Sequence, residues 1–164
     1  MENILNKLHY SIYLMDRKLH YLSNKVNPLL FIFKIPFFKK VAKKNNEDLF
    51  EIYNNTFTDK RSGFNIWVAD GILMGVIFVI LISSFTVISR VFNLYDYVPK
   101  FYYITCAGIS MFIGYLYVFK KDKYLDYFEK YEKWTKKEKR KYVIISFLVI
   151  IATIAYFFMS LMCC

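Results

Sequence analysis

Three stretches of this chain carry no charged side chain over a length that can cross a lipid bilayer. Gly71–Ser89 and Phe101–Phe119 are 19 residues each, and Tyr142–Cys164 is 23. A hydrocarbon core of about 30 Å takes about 20 residues of helix, so the three runs predict transmembrane helices. A soluble helix of that length would interrupt the run with polar residues on its solvated side. The runs hold no Arg, Lys, Glu, His, Asn or Gln at all. The predicted fold class is therefore an all-α integral membrane protein, with three transmembrane helices and a cytoplasmic and interfacial helical layer.

Charge assigns the sides. Of 23 Lys and Arg, 11 precede residue 66, two (Arg90 and Lys100) lie between the first two spans, and 10 lie within 120–141. Segments beside spans are enriched in Lys and Arg on the cytoplasmic face, which predicts a cytoplasmic N-terminus and an external C-terminus. A bacterial inner or plasma membrane suits this composition, and the anionic inner leaflet is the expected lipid contact. The chain then divides into a cytoplasmic amphipathic helix (1–27), a basic interfacial segment (28–44) and a cytoplasmic linker (45–65). The first span (66–89), an external loop (90–100) and the second span (101–119) follow. A basic cytoplasmic helical segment (120–141), expected to continue the helix of the second span, and the third span (142–164) complete it. The first span is expected to be an uncleaved anchor, since no signal-peptide pattern precedes it.

A net charge of +10 and a pI near 9.4 raise the question of nucleic acid. The two basic segments hold 21 of the cations together with 11 acids, which leaves about +5 on each. Positive-inside orientation accounts for that excess, and no nucleic-acid motif accompanies it, so nucleic acid is not an expected partner.

Within 1–27, Leu5, Leu8, Ile12, Met15, Leu19, Leu22 and Val26 follow spacings of 3 and 4. This is a heptad seam, with Lys7, Arg17, Lys18 and Lys25 away from it. Asn27-Pro28 ends the helix, because proline disfavours helical geometry in the residue before it. A helix this short is marginal alone in water, so the seam must bury itself on something. Lipid, a second copy or other protein chain, or the aromatic stripe Tyr124, Tyr127, Tyr131 and Trp134 in 120–141 could serve. These seam residues are the candidate partner-binding positions.

Small residues mark candidate helix packing: Gly71 and Gly75 on the first span, Cys106, Ser110 and Gly114 on the second, and Ala152 and Ala155 on the third. Asp70 is the one acid at the edge of a span, expected as a first-turn acid at a helix N-terminus. His9 and His20 are about 16 Å apart along a helix, too far to share a metal ion, and Asp16–His20 is expected to be a solvated pair. Cys106, Cys163 and Cys164 are too few for a disulfide framework. The Asn54-Asn55-Thr56 sequon falls on the predicted cytoplasmic side and is taken as chance. No nucleophile elbow, phosphate-cradling glycine loop or zinc motif is present. No cofactor, metal or catalytic residue is assigned, and a non-enzymatic membrane anchor, adaptor or accessory subunit is expected. A membrane-active or transport component (a small pore, an export subunit, or an immunity or exclusion protein) is the alternative.

Overall fold

The computed structural model describes residues 1–33, 35–37, 40, 48–92 and 101–162. It is 87% helix, with no strand among the described residues. Three helices are long and apolar enough to cross a membrane. Cys163, Cys164, the 93–100 loop and most of the basic stretch 38–47 lie outside the described residues.

The chain divides into two units, Tyr13–Ala69, and Met1–Ile12 with Asp70–Cys164. Helix α1 (Glu2–Asn24) and helix α4 (Phe64–Val91) each run through the division.

In the Tyr13–Ala69 unit the second half of α1 faces α3 (Leu49–Thr58), and a short α2 (Leu29–Ile32) lies between them in the chain. Asp48 starts α3 by accepting from the Phe50 and Glu51 amides at 2.9 and 3.5 Å, satisfying donors that the first helical turn leaves open. Tyr13 donates to the Thr58 carbonyl at 2.7 Å. His20 stacks on Phe57 at 4.4 Å. Its Nε2 lies 3.1 Å from Asn24 Nδ2 and 3.3 Å from Asn54 Oδ1. The asparagine of the sequon is thus tied to a buried histidine. Asp59 ends α3 by accepting from the Arg61 amide and the Ser62 hydroxyl. Gly63 then passes so close to the Asp59 backbone that a Cβ would overlap it.

In the other unit, α4 meets α5 (Tyr102–Gly114) and α7 (Lys136–Met162). Ser110 donates to the Met74 carbonyl at 2.8 Å and Tyr102 to the Leu81 carbonyl at 3.1 Å, so α4 and α5 run antiparallel. Tyr156 reaches Ser84 at 3.4 Å and Arg90 donates to the Leu161 carbonyl at 3.1 Å, so α4 and α7 run parallel. The order is up, down, up. Small and hydroxylated residues face inward: Cys106, Ser110 and Gly114 on α5, and Ser146, Thr153 and Ser160 on α7. Large apolar residues face outward, among them Phe112, Phe147, Ile151 and Phe158. Ser83, Thr86 and Thr153 return their hydroxyls to the carbonyl four residues back at 2.8–2.9 Å, so these three need no partner from outside their own helix. Helices that pack in an apolar solvent use inward faces of this kind, with small contacts in place of a large apolar core.

Three sequence expectations are revised. Ala152 and Ala155 are exposed, and the inward stripe of α7 is the hydroxyl series instead. Gly71 and Gly75 are not close-approach points within this chain, since a Cβ on either would meet nothing within 4 Å. The 120–141 segment is helical but does not continue the second span unbroken. A π-helical turn (Tyr115–Phe119) and a 3₁₀ turn (Lys120–Asp122) separate α5 from α6 (Lys123–Glu132). Lys121 and Asp122 lie at φ 60° and 54°, and this left-handed pair kinks the chain between the two helices. Thr135 and Glu138 then form a reciprocal capping box that starts α7.

Gly114 lies against the Met74 thioether closely enough that a Cβ would displace it. Gly114→Ile should therefore lower stability in detergent micelles by about 1–3 kcal/mol through overpacking. Gly71→Ala should leave the thermal unfolding midpoint unchanged or raise it slightly, since alanine is the better helix former.

Candidate functional site

The most polar buried cluster begins at the start of α1. Asn6, His9 and Tyr10 are buried, His9 completely. His9 Nε2 lies 2.7 Å from Asp70 Oδ1 on α4, where the aspartate side chain keeps 34% of its exposure. A carboxylate only accepts, so Nε2 carries the proton and donates it. The imidazole is boxed by Phe119, Tyr124 and Phe128, with ring centroids at 5.9, 5.7 and 5.3 Å. Asp70 is the seventh residue of its helix rather than a first-turn acid, and what holds it is the histidine.

The neighbouring residues fasten α1 to α6 and the π-helical turn. Asn6 donates to the Tyr117 carbonyl at 2.9 Å, serving an acceptor near the end of the second apolar helix where helical partners run out. Tyr131 donates to Asn3 Oδ1 at 2.7 Å. Lys123 and the Tyr127 hydroxyl donate to the Glu2 carboxylate at 3.0 and 3.2 Å. The Lys123 hydrogen bond is the main cause that holds the Glu2 carboxyl below its ordinary range. Tyr10 packs edge-on to Phe128 at 4.9 Å and beside Tyr131 at 5.6 Å. Trp134 stacks on Tyr142 at 4.4 Å, and Lys7 sits 5.2 Å over the same ring.

A histidine with a carboxylate is two-thirds of a proton-relay triad, but the third part is not here. In such a triad the second ring nitrogen faces a nucleophile. His9 Nδ1 is buried with no hydrogen-bond partner among the described residues. No group of three His, Cys, Asp or Glu gathers among the described residues, so these side chains do not form a metal cage there. The arrangement is a buried polar clasp, in which a donor and an acceptor satisfy each other across two helices.

The sequence-derived candidates fall on different faces. Of the seam, Ile12 is fully buried, while Leu5, Leu8 and Met15 are half-buried. Leu19, Leu22 and Val26 remain 56, 57 and 81% exposed. The aromatic stripe of 120–141 does meet α1, but on the Asn3–Asn6–His9–Tyr10 face rather than on the seam. Tyr124 and Tyr131 of that stripe are buried, and Phe128 is buried in place of Tyr127. His9, Asn6 and Phe128 were missed as site residues. A signal existed: Asn6, His9, Tyr13 and His20 recur at helical spacing on one side of α1.

Asp70→Ala leaves a buried imidazole N–H without its acceptor, which costs about 1–3 kcal/mol. The variant should unfold earlier in micelles and exchange amide protons faster across residues 2–12. Asp70→Asn retains an acceptor oxygen and should lose less. For Glu2 the folded pKa lies below the reference value of 4.5. Its contribution is thus present above pH 4.5 and lost as pH falls through the lower folded value. NMR titration of Glu2 should show that value rising toward 4.5 in Lys123→Gln.

No family model matches this chain, and comparison with curated proteins and with solved structures gives no significant match.

Proposed function

We propose that this chain is a non-enzymatic integral membrane protein that works by binding, as an anchor, adaptor or accessory subunit. Three spans hold it in the bilayer, with α1 and 120–141 on the cytoplasmic face. The observation that carries the reading is the division of the heptad seam. Its first half is wholly or partly covered within the chain, whereas Leu19 and Leu22 stay exposed on the same helix and Val26 just past its end. An apolar helical stripe left open to water is the surface a partner helix would take. The clasp at His9 is compatible with this reading, because it fastens the first turns of α1.

The alternative, a small pore or transport component, draws on Asp70, an acid at the end of an apolar helix that retains partial exposure.

Leu19→Asp with Leu22→Asp places two charges on exposed positions, so folding and membrane extraction should match wild type. Co-purification of a partner, or self-association measured by crosslinking in the membrane, should fall by tenfold or more. Complexes retained unchanged by the double variant would remove the support for the adaptor reading. Proton or potassium flux from liposomes holding the wild-type chain, abolished by Asp70→Asn, would favour the transport reading instead.

A further inference from the structure

Where the second apolar helix ends, the chain forms a cavity of about 400 Å³ lined by Glu2, Leu116, Tyr117, Lys120, Lys121 and Lys123. Three ammonium groups and one carboxylate line it. The carboxylate is already engaged, since Glu2 accepts from Lys123 at 3.0 Å and from the Tyr127 hydroxyl at 3.2 Å. Lys120 and Lys121 form no ion pair among the described residues. The backbone brings them together through the left-handed pair Lys121 and Asp122, a conformation that non-glycine residues hold only where their surroundings enforce it. Two unmatched cations therefore converge on one cavity at the polar end of an apolar helix.

The cavity also has an apolar side. Leu116 forms part of its wall, and Phe112 and Ile109 lie one and two turns further along the same side of α5, 62 and 43% exposed. A cationic cavity beside an apolar track matches a molecule with an anionic head and a hydrocarbon chain. We infer that the cavity binds the headgroup phosphate of an anionic glycerophospholipid. Lys120 and Lys121 donate to the phosphate oxygens, and an acyl chain lies along Leu116, Phe112 and Ile109. Lysine suits this task as a point charge that needs no fixed fork geometry. A cavity of this kind is saturable and takes one lipid per chain, unlike the diffuse attraction of a basic surface to an acidic membrane.

The inference rests on reading α5 as a membrane span, and that reading fails separately, as a chain that stays monodisperse without detergent. The test is native mass spectrometry of the full chain in dodecyl maltoside, titrated with phosphatidylglycerol, phosphatidylcholine or inorganic phosphate. One phosphatidylglycerol should be retained per chain, in preference to phosphatidylcholine, whose choline cancels the phosphate charge. Lys120→Gln with Lys121→Gln should weaken it on the order of tenfold. Lys120→Arg with Lys121→Arg should restore it, and Lys136→Gln with Lys137→Gln, outside the cavity, should match wild type. No preference for phosphatidylglycerol by the wild-type chain overturns the proposal, as does equal weakening by both Gln pairs. Displacement of the lipid by inorganic phosphate at the same concentration makes the site one for free phosphate and likewise overturns it.

Discussion

The 2.7 Å hydrogen bond between His9 and Asp70 is the point on which the polar end of the larger unit depends. A fully buried imidazole is tolerated only if its N–H finds an acceptor, and a carboxylate on an otherwise apolar helix is stabilised by a donor. Each residue satisfies the other. Around that bond Phe119, Tyr124 and Phe128 close the box, and Asn6 reaches the Tyr117 carbonyl at the end of the second apolar helix. The π-helical turn, the left-handed kink and α6 are thereby held against the first turns of α1. The Glu2–Lys123 pair at the rim is half-exposed, so it adds little stability by itself and chiefly sets the register of α1 against α6.

Beyond that clasp the apolar helices follow a different logic. Packing and internal hydrogen bonds decide which faces meet. Hydroxyls bonded to their own helix, a cysteine and Gly114 turn inward, where backbones or a methionine can come close. Isoleucine, phenylalanine and methionine turn outward. The Ser110 and Tyr102 hydroxyls are exceptions that reach across to carbonyls of α4, and they set the register of the antiparallel pair. Two polar atoms specify what uniform apolar surfaces would leave free to slide.

Several features were legible in the residues. The helix from Glu2 to Asn24 and its end before Pro28 followed from the seam and the proline. Asp70 stood out because a lone acid at the edge of a span is costly. Other features were hidden for identifiable reasons. Counting apolar residues along α1 chose the Leu5–Val26 seam, while the face buried within the chain runs through Asn6, His9, Tyr10 and Tyr13. Polar residues are buried when partners satisfy them, and those partners lie more than 60 positions away for His9 and more than 100 for Asn6. Glycine spacing pointed to Gly71 and Gly75, but a spacing does not say which side of a helix its neighbour occupies.

The number of long apolar helices was set by the sequence alone, because in a charge-free run of 19 or more residues the helix is the economical way to satisfy the backbone without water. The heptad period of α1 was likewise a local property, since side chains three and four apart share a side whatever lies opposite. Which of those sides is covered was a matter for tertiary structure. So were the pairing of His9 with Asp70, the break at Lys121–Asp122 and the gathering of Lys120, Lys121 and Lys123 around one cavity. Each depends on distances between residues far apart in the chain or on a backbone kink that their neighbours enforce, and neither is written in the spacing of residue types.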